Sequence, residues 1–182
     1  GEKKHIISPE FKQAGNTLYL FEHQPQENGL PNYENLKEVY HFVHENIKNG
    51  NIISVKTVKE GGVAVALAKM AFGNGLGAEV EVAEDLLLNK NIGSLIIEAK
   101  GELNHELLGK IGEVKESKEL VINNLKLQTS NLQTAYTATF ENLFPTVEKE
   151  KIVIDIDEKL NSVNPRNIII KKHNICLLYT SP

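Results

Sequence analysis

An α/β (α+β) domain, a mixed β-sheet layered with helices, is the fold class that this sequence predicts. Three observations carry that expectation. Runs of β-branched residues alternate along the chain with segments whose apolar residues fall three to four apart. Glycine and proline clusters separate these runs at short intervals. One helical segment, residues 61–72, carries a single charge and so has to be covered on most sides.

Asn16–His23, NTLYLFEH, is rich in β-formers and reads as the first strand, with Pro25, Gly29 and Pro31 marking the loop after it. From Asn32 to about Asn49, Leu36, Val39, Tyr40, Val43 and Ile47 share one helical face, with Asn32 as N-cap and Gly50 as stop. Asn51–Val58, NIISVKTV, is a second strand. Gly61 to about Phe72 is helical in composition, with Lys69 as its one charge, and Gly73, Gly75 and Gly77 end it. Ala78–Val82, AEVEV, alternates as a strand with one wet face does. Ser94–Ala99, SLIIEA, is a further core strand, and Lys110–Lys115 and Glu119–Asn123 read as shorter hairpin partners. The last strong helix begins near Ser130, where Ser130 and Gln133 fit a capping box. Leu132, Tyr136, Phe140 and Leu143 form its apolar stripe, ended by Pro145; beyond that the period is lost, and Glu148–Asn174 reads as an extended linker.

The composition narrows the function classes. With 182 residues, 41% of them hydrophobic and 24% charged, the chain is long enough to bury a core without disulfides or metals. A net charge of −4 argues against nucleic acid or an anionic membrane as the main partner, since both select a basic face. No apolar run approaches the ~20 residues of a membrane span, and GEKKHIISPEF at the start lacks the apolar stretch of a signal peptide. The single cysteine, Cys176, has no internal partner for a disulfide, and a cytoplasmic setting is expected.

Few residues carry obvious chemistry. Gly61 and Gly62 stand between a strand and a helix start, where backbone N–H groups and the positive end of the helix dipole can hold a phosphate. The same pair also lets a helix sit close on a sheet, and the two readings do not exclude each other. His41 and His44 have metal-like spacing on a helix but lie off its apolar stripe without a third ligand, so they read as solvated. Glu79 and Glu81 share a strand face, and they and the acids near Asp155 read as solvated too. No catalytic set and no metal site is expected from these residues.

SVKTVKEGGVAVALAKMAFGNGLGAEVEV resembles the C-terminal domain of the aminoimidazole ribonucleotide synthetase superfamily. There a strand runs into His-Asp-Val-Ser-(Asp/Glu)-Gly-Gly, an alanine-rich helix and a glycine-rich exit; Val58, Glu60, Gly61 and Gly62 match. Selenophosphate synthetase, thiamine-monophosphate kinase and a hydrogenase-maturation protein share this motif, so it points to the domain and not to the reaction. ISPEFKQAG (Ile7–Gly15), NGLPNYENLKEVY (Asn28–Tyr40), KMAFGNGLG (Lys69–Gly77) and FENLFPT (Phe140–Thr146) are similar to phosphoribosylformylglycinamidine synthase of the long single-chain type, in the second copy of this domain.

That resemblance implies a domain over residues 1–147 and a linker over 148–175 towards a glutaminase domain. It implies an ATP-binding partner domain as well, with ATP and Mg2+ serving the full-length enzyme. It also implies a phosphate- or ribonucleotide-binding role for Gly61, Gly62 and Glu60, with Lys56 and Lys59 as point charges. Departures from the motif limit the chemistry. Lys56 and Thr57 stand where the family often has His-Asp, and Lys59 replaces the serine, which favours a supporting copy over a catalytic one. CLLYTSP (Cys176–Pro182) has no counterpart in the family and resembles one reading frame of a sequencing adapter, so residues 176–182 read as a non-native tail.

Overall fold

The computed structural model describes residues 5–144, Asn142 excepted. The expected domain end at 147, the linker over 148–175 and the tail over 176–182 lie outside the described residues. In chain order the elements are β1 (Thr17–Phe21), α1 (Tyr33–Lys48), β2 (Ile52–Thr57), α2 (Gly62–Ala71), β3 (Gly77–Val80) and α3 (Glu84–Leu88). They continue with β4 (Leu95–Ala99), β5 (Leu108–Lys115), β6 (Glu119–Ile122), β7 (Leu125–Gln128) and α4 (Thr129–Thr137). The strands form one mixed sheet in the order β2-β4-β1-β5-β3-β6-β7. Neighbours are antiparallel except β3 and β6.

The two-residue period of the strands sorts the core into two faces. Leu18 and Leu20 of β1, Ile96 of β4, Val114 of β5, Ala78 and Val80 of β3 and Leu120 of β6 lie under α2. That helix meets them with Val63, Ala66, Leu67, Met70 and Ala71. Tyr19, Phe21, Leu95, Ile97 and Ala99 turn the other way, towards Val39 and Val43 of α1. The two crossovers, β1-α1-β2 and β2-α2-β3, therefore cover opposite faces. No residue of α2 is exposed, as its near absence of charge requires. Each large apolar side chain it buries contributes about 1.5–3 kcal/mol.

α1 begins as expected: the Asn32 side chain accepts a hydrogen bond from the Asn35 N–H at 3.2 Å. Tyr40 is a correction. It sits at the edge of the buried stripe, 42% exposed, and its hydroxyl donates to the Gly93 carbonyl at 3.0 Å.

β5 and β6 are not hairpin partners, because β3 lies between them. The connection from β5 to β6 passes over the start of β3 at Gly77, where a Cβ would collide with the carbonyls of Ser117 and Glu119. Glycine admits that crossing. β6 instead turns back on β7 through Asn123 and Asn124, both at positive φ (54° and 84°), as a two-residue hairpin turn requires.

The capping box at Ser130 is also a correction. α4 starts at Thr129 with Gln128 as N-cap, no side chain caps it, and Thr129 is tied to the Lys118 carbonyl through its N–H (3.1 Å) and its hydroxyl (3.0 Å). Of the expected stripe, Leu132 packs on the core, whereas Tyr136, Phe140 and Leu143 are exposed.

Glu98 is fully buried in the middle of β4, in a strand that otherwise contributes only apolar side chains. Its carboxyl group accepts from the N–H of Lys12 (2.9 and 3.1 Å), the N–H of Gln13 (3.1 Å) and Asn16 Nδ2 (2.7 Å). It thereby ties the segment before β1 to the sheet. Phe11, also fully buried, donates from its N–H to the Met70 carbonyl at 2.9 Å and completes the attachment. Opposite Glu98, Ser54 of β2 has a buried hydroxyl oxygen without a hydrogen-bond partner. On the same segment, Lys12 and the Ser8 hydroxyl hold the Glu10 carboxyl down to about 2, from 4.5.

Glu98→Gln places an amide donor against donors and is expected to cost about 2–4 kcal/mol in urea unfolding. Ser54→Ala removes an unpaired hydroxyl and is expected to be neutral or stabilising by up to about 1 kcal/mol. Equal losses in both variants would contradict this assignment of the two groups. A depressed carboxyl favours the folded state above its unfolded value, and that contribution is lost as pH falls from about 4.5 towards about 2. Glu10→Gln is therefore expected to flatten the stability profile over that window and to leave its shape at neutral pH unchanged.

Candidate functional site

Lys56, Lys59, Glu60 and Gly62 come together. Lys56 leaves β2 on the face that α2 covers, its register partner being the buried Ile96. Thr57 ends the strand, and Lys59 and Glu60 form the exposed corner that leads into α2. With Val65, Ala66 and Lys69 they line a cleft of about 170 Å3 along the first two turns of α2.

The glycine pair has a clear local role. Gly61 is the N-cap, in the left-handed conformation at φ 84°, and Gly62 follows at φ 65°. A Cβ on Gly62 would collide with the Leu87 carbonyl and lie 2.8 Å from that of Leu86. α3 thus packs its backbone directly on the start of α2, and only glycine permits the approach. The Gly62 N–H donates to the Lys59 carbonyl at 3.1 Å and closes the turn, so it is not free to meet a ligand. The close-packing role of Gly62 is explicit in the geometry. Any attraction for an anion here comes chiefly from the lysines.

Three ammonium groups and one carboxylate border the cleft. Glu60 is engaged by Lys90, whose Nζ lies 2.8 Å from its Oε1, in an exposed pair worth about 0–1 kcal/mol. Lys69 lines the cleft, and its Nζ lies 4.8 Å from the centre of the Tyr136 ring. Neither Lys69 nor Lys90 is among the residues the sequence motif marks. A signal for Lys69 existed: it stands seven residues, two helical turns, after Gly62, on the face shared with Val65 and Ala66. Lys90 arrives through the loop after α3, which no periodicity announces.

Elsewhere the charged groups serve the fold or meet solvent. His41 and His44 are exposed on α1, and Glu79 and Glu81 are exposed beside β5. His23 is buried; its Nδ1 lies 3.0 Å from the Ile92 carbonyl and its Nε2 accepts from the Asn32 N–H at 3.1 Å, which latches the start of α1. Among the described residues no three histidines, cysteines or carboxylates gather to hold a metal ion. No helix among them is long and apolar enough to cross a membrane.

No family model matches the chain. Its fold is that of solved PurL and phosphoribosylformylglycinamidine synthase II structures. Thermotoga maritima PurL, in a complex with AMPPCP, superimposes with a TM-score of 0.58 at 14% identity, covering 71% of this chain and 27% of that one. Phosphoribosylformylglycinamidine synthase II of the same organism gives 0.57 at 13%, covering 84% and 29%. At such identities the likeness defines the fold alone.

Sequence makes the connection closer. The chain is 33% identical over 119 residues to the phosphoribosylformylglycinamidine synthase subunit PurL of Methanocaldococcus jannaschii, covering 58% of this chain and 16% of the relative. It is 28% identical over 173 residues to PurL of Sulfurimonas denitrificans, covering 78% and 23%. The resemblance to phosphoribosylformylglycinamidine synthase seen in the sequence is borne out: the chain is related to PurL over a stretch that is less than a quarter of these relatives' length.

Gly62→Ala is expected to cost at least about 2 kcal/mol, because the new methyl group meets backbone that cannot move aside. Lys59→Ala, on the exposed corner of the same cleft, is expected to stay within about 0.5 kcal/mol. Thermal unfolding of the two variants checks this; a Gly62→Ala protein as stable as the parent would contradict the contact with α3.

Proposed function

We propose that this chain is part of a phosphoribosylformylglycinamidine synthase. That ligase turns formylglycinamide ribonucleotide, glutamine and ATP into formylglycinamidine ribonucleotide, glutamate, ADP and phosphate. In this reading the chain supplies a supporting domain, in the cytoplasm, that works beside an ATP-binding domain and a glutaminase domain. Its cleft at the start of α2 holds a phosphate-bearing ligand at the domain boundary.

The observation that carries the proposal is the convergence of Lys56, Lys59 and Lys69 on one cleft whose only carboxylate, Glu60, is already paired with Lys90. Lysine suits phosphate as a mobile point charge. ATP supplies the phosphoryl group that activates the amide oxygen in the whole enzyme. The cleft offers nothing equivalent to a magnesium site, since Glu60 is its one carboxylate. Mg2+ therefore belongs with the nucleotide or with the partner domain. Lys56, Thr57 and Lys59 provide no imidazole or carboxylate for proton transfer, so the domain binds and orients without taking part in the chemistry.

A second reading, a purely structural copy that completes a neighbouring domain, is favoured by one feature: the contact of Gly62 with α3 explains the glycine pair without any ligand. Calorimetric titration of the whole chain with ADP and with formylglycinamide ribonucleotide separates the two. Weak, saturable binding that fades with salt and is lost in a Lys56→Ala/Lys59→Ala double variant is the expected result. No heat from either ligand favours the structural copy. Supplied with formylglycinamide ribonucleotide, ATP and ammonia, the chain alone is expected to form no amidine; product formation would sink the supporting role.

A further inference from the structure

Lys69 is the only charge on α2, and it is placed by a residue from another element. Its ammonium lies 4.8 Å from the centre of the Tyr136 ring, on α4. The same ring packs against Phe72 at the end of α2, with centroids 5.7 Å apart and planes inclined by 41°. Tyr136 is 57% exposed, so it is not held there by the core; these two contacts account for its place on the surface. Val65, Ala66 and the stem of Lys69 form one wall of the cleft. A lysine side chain has four rotatable bonds, and an ammonium that meets only water samples many of their rotamers. A ring face that attracts the cation restricts this freedom before any ligand arrives.

We propose that Tyr136 is a positioning residue for the lysine cleft: it holds the Lys69 ammonium at the mouth, so that an entering phosphate finds three cations and not two. The inference rests on the reading of the cleft as a phosphate site and adds α4 to it. The Tyr136 ring supplies the interaction through its face, and neither of its two contacts involves the hydroxyl group. Phenylalanine should therefore serve in its place, and leucine, similar in apolar character but lacking the π face, should not.

The test titrates the whole chain with ADP at low salt, comparing the parent with Tyr136→Phe, Tyr136→Leu and Lys69→Ala. Proton NMR follows the Lys69 ε-methylene resonance in the same samples. The ring current of Tyr136 shifts that resonance upfield in the parent and in Tyr136→Phe, and the shift disappears in Tyr136→Leu. Tyr136→Leu is expected to bind ADP about three- to fivefold more weakly than the parent, Tyr136→Phe about equally, and Lys69→Ala at least as weakly as Tyr136→Leu. Circular dichroism establishes that the variants are folded, which the exposure of Tyr136 makes the expected outcome. Binding by the parent that is undisturbed in Tyr136→Leu overturns this inference and leaves the phosphate site standing. Equal weakening in Tyr136→Phe and Tyr136→Leu also overturns it, since the ring face would then not be the cause. A parent chain that binds no ADP overturns the phosphate site and this inference together.

Discussion

Helix α2 has to carry the chain from β2, at one edge of the sheet, past β4, β1 and β5 to β3, and it does so lying directly on the strands. Everything near the cleft follows from that constraint. A helix pressed this close needs small residues, and Ala64, Ala66, Ala68 and Ala71 supply them. The helix also has to leave the strand abruptly, which Gly61 and Gly62 allow through two consecutive positive φ angles. Once α2 is in place, α3 can close over its first turn, and the backbone carbonyls of Leu86 and Leu87 occupy the space a side chain at residue 62 would need. A motif that reads as ligand chemistry is, at its second glycine, a packing solution first.

The charged groups divide by depth, and depth decides what they do. Glu98 lies in the core and has its acceptor capacity filled by backbone and amide donors from the segment before β1. A carboxyl group placed there without those donors would oppose folding. The lysines at the cleft stand at the other extreme. They are partly or fully solvated; Lys56 and Lys59 keep the freedom to reorganise around an anion, whereas Lys69 rests against the Tyr136 ring. Glu60 and Lys90 cancel each other at the rim, which leaves the cleft with a positive excess although the whole chain has a net charge of −4.

The described domain and the PurL proteins share a fold at identities too low for side chains to be matched one by one. What they share is the mixed sheet layered with helices. Lys56, Thr57 and Lys59 stand at the corner before α2, and α2 docks on the sheet as the fold demands. Backbone packing and surface chemistry are separable here because Gly62 answers to α3, whereas Lys56, Lys59 and Lys69 answer to solvent or ligand.

The sequence by itself determined the elements whose pattern is local. The buried helix at 62–71 was legible from its single charge, the strands at 17–21, 52–57 and 95–99 from their β-branched runs, and the N-cap at Asn32 from its place before a periodic stretch. The glycine corner and its two lysines were legible because they are contiguous. Only the tertiary structure decided what depends on distant partners. β3 came between β5 and β6 because Gly77 admits a crossing that no local signal encodes. α4 lost its expected capping box because Thr129 found the Lys118 carbonyl. Glu98 became a core residue because three donors more than 80 positions away in the chain converge on it. Lys69 joined the cleft and Lys90 reached Glu60 at its rim in the same way, one from the middle of a helix and one from a loop. Periodicity and capping act within a turn or two of chain. Burial, strand order and electrostatic pairing are set by neighbours that only folding brings together.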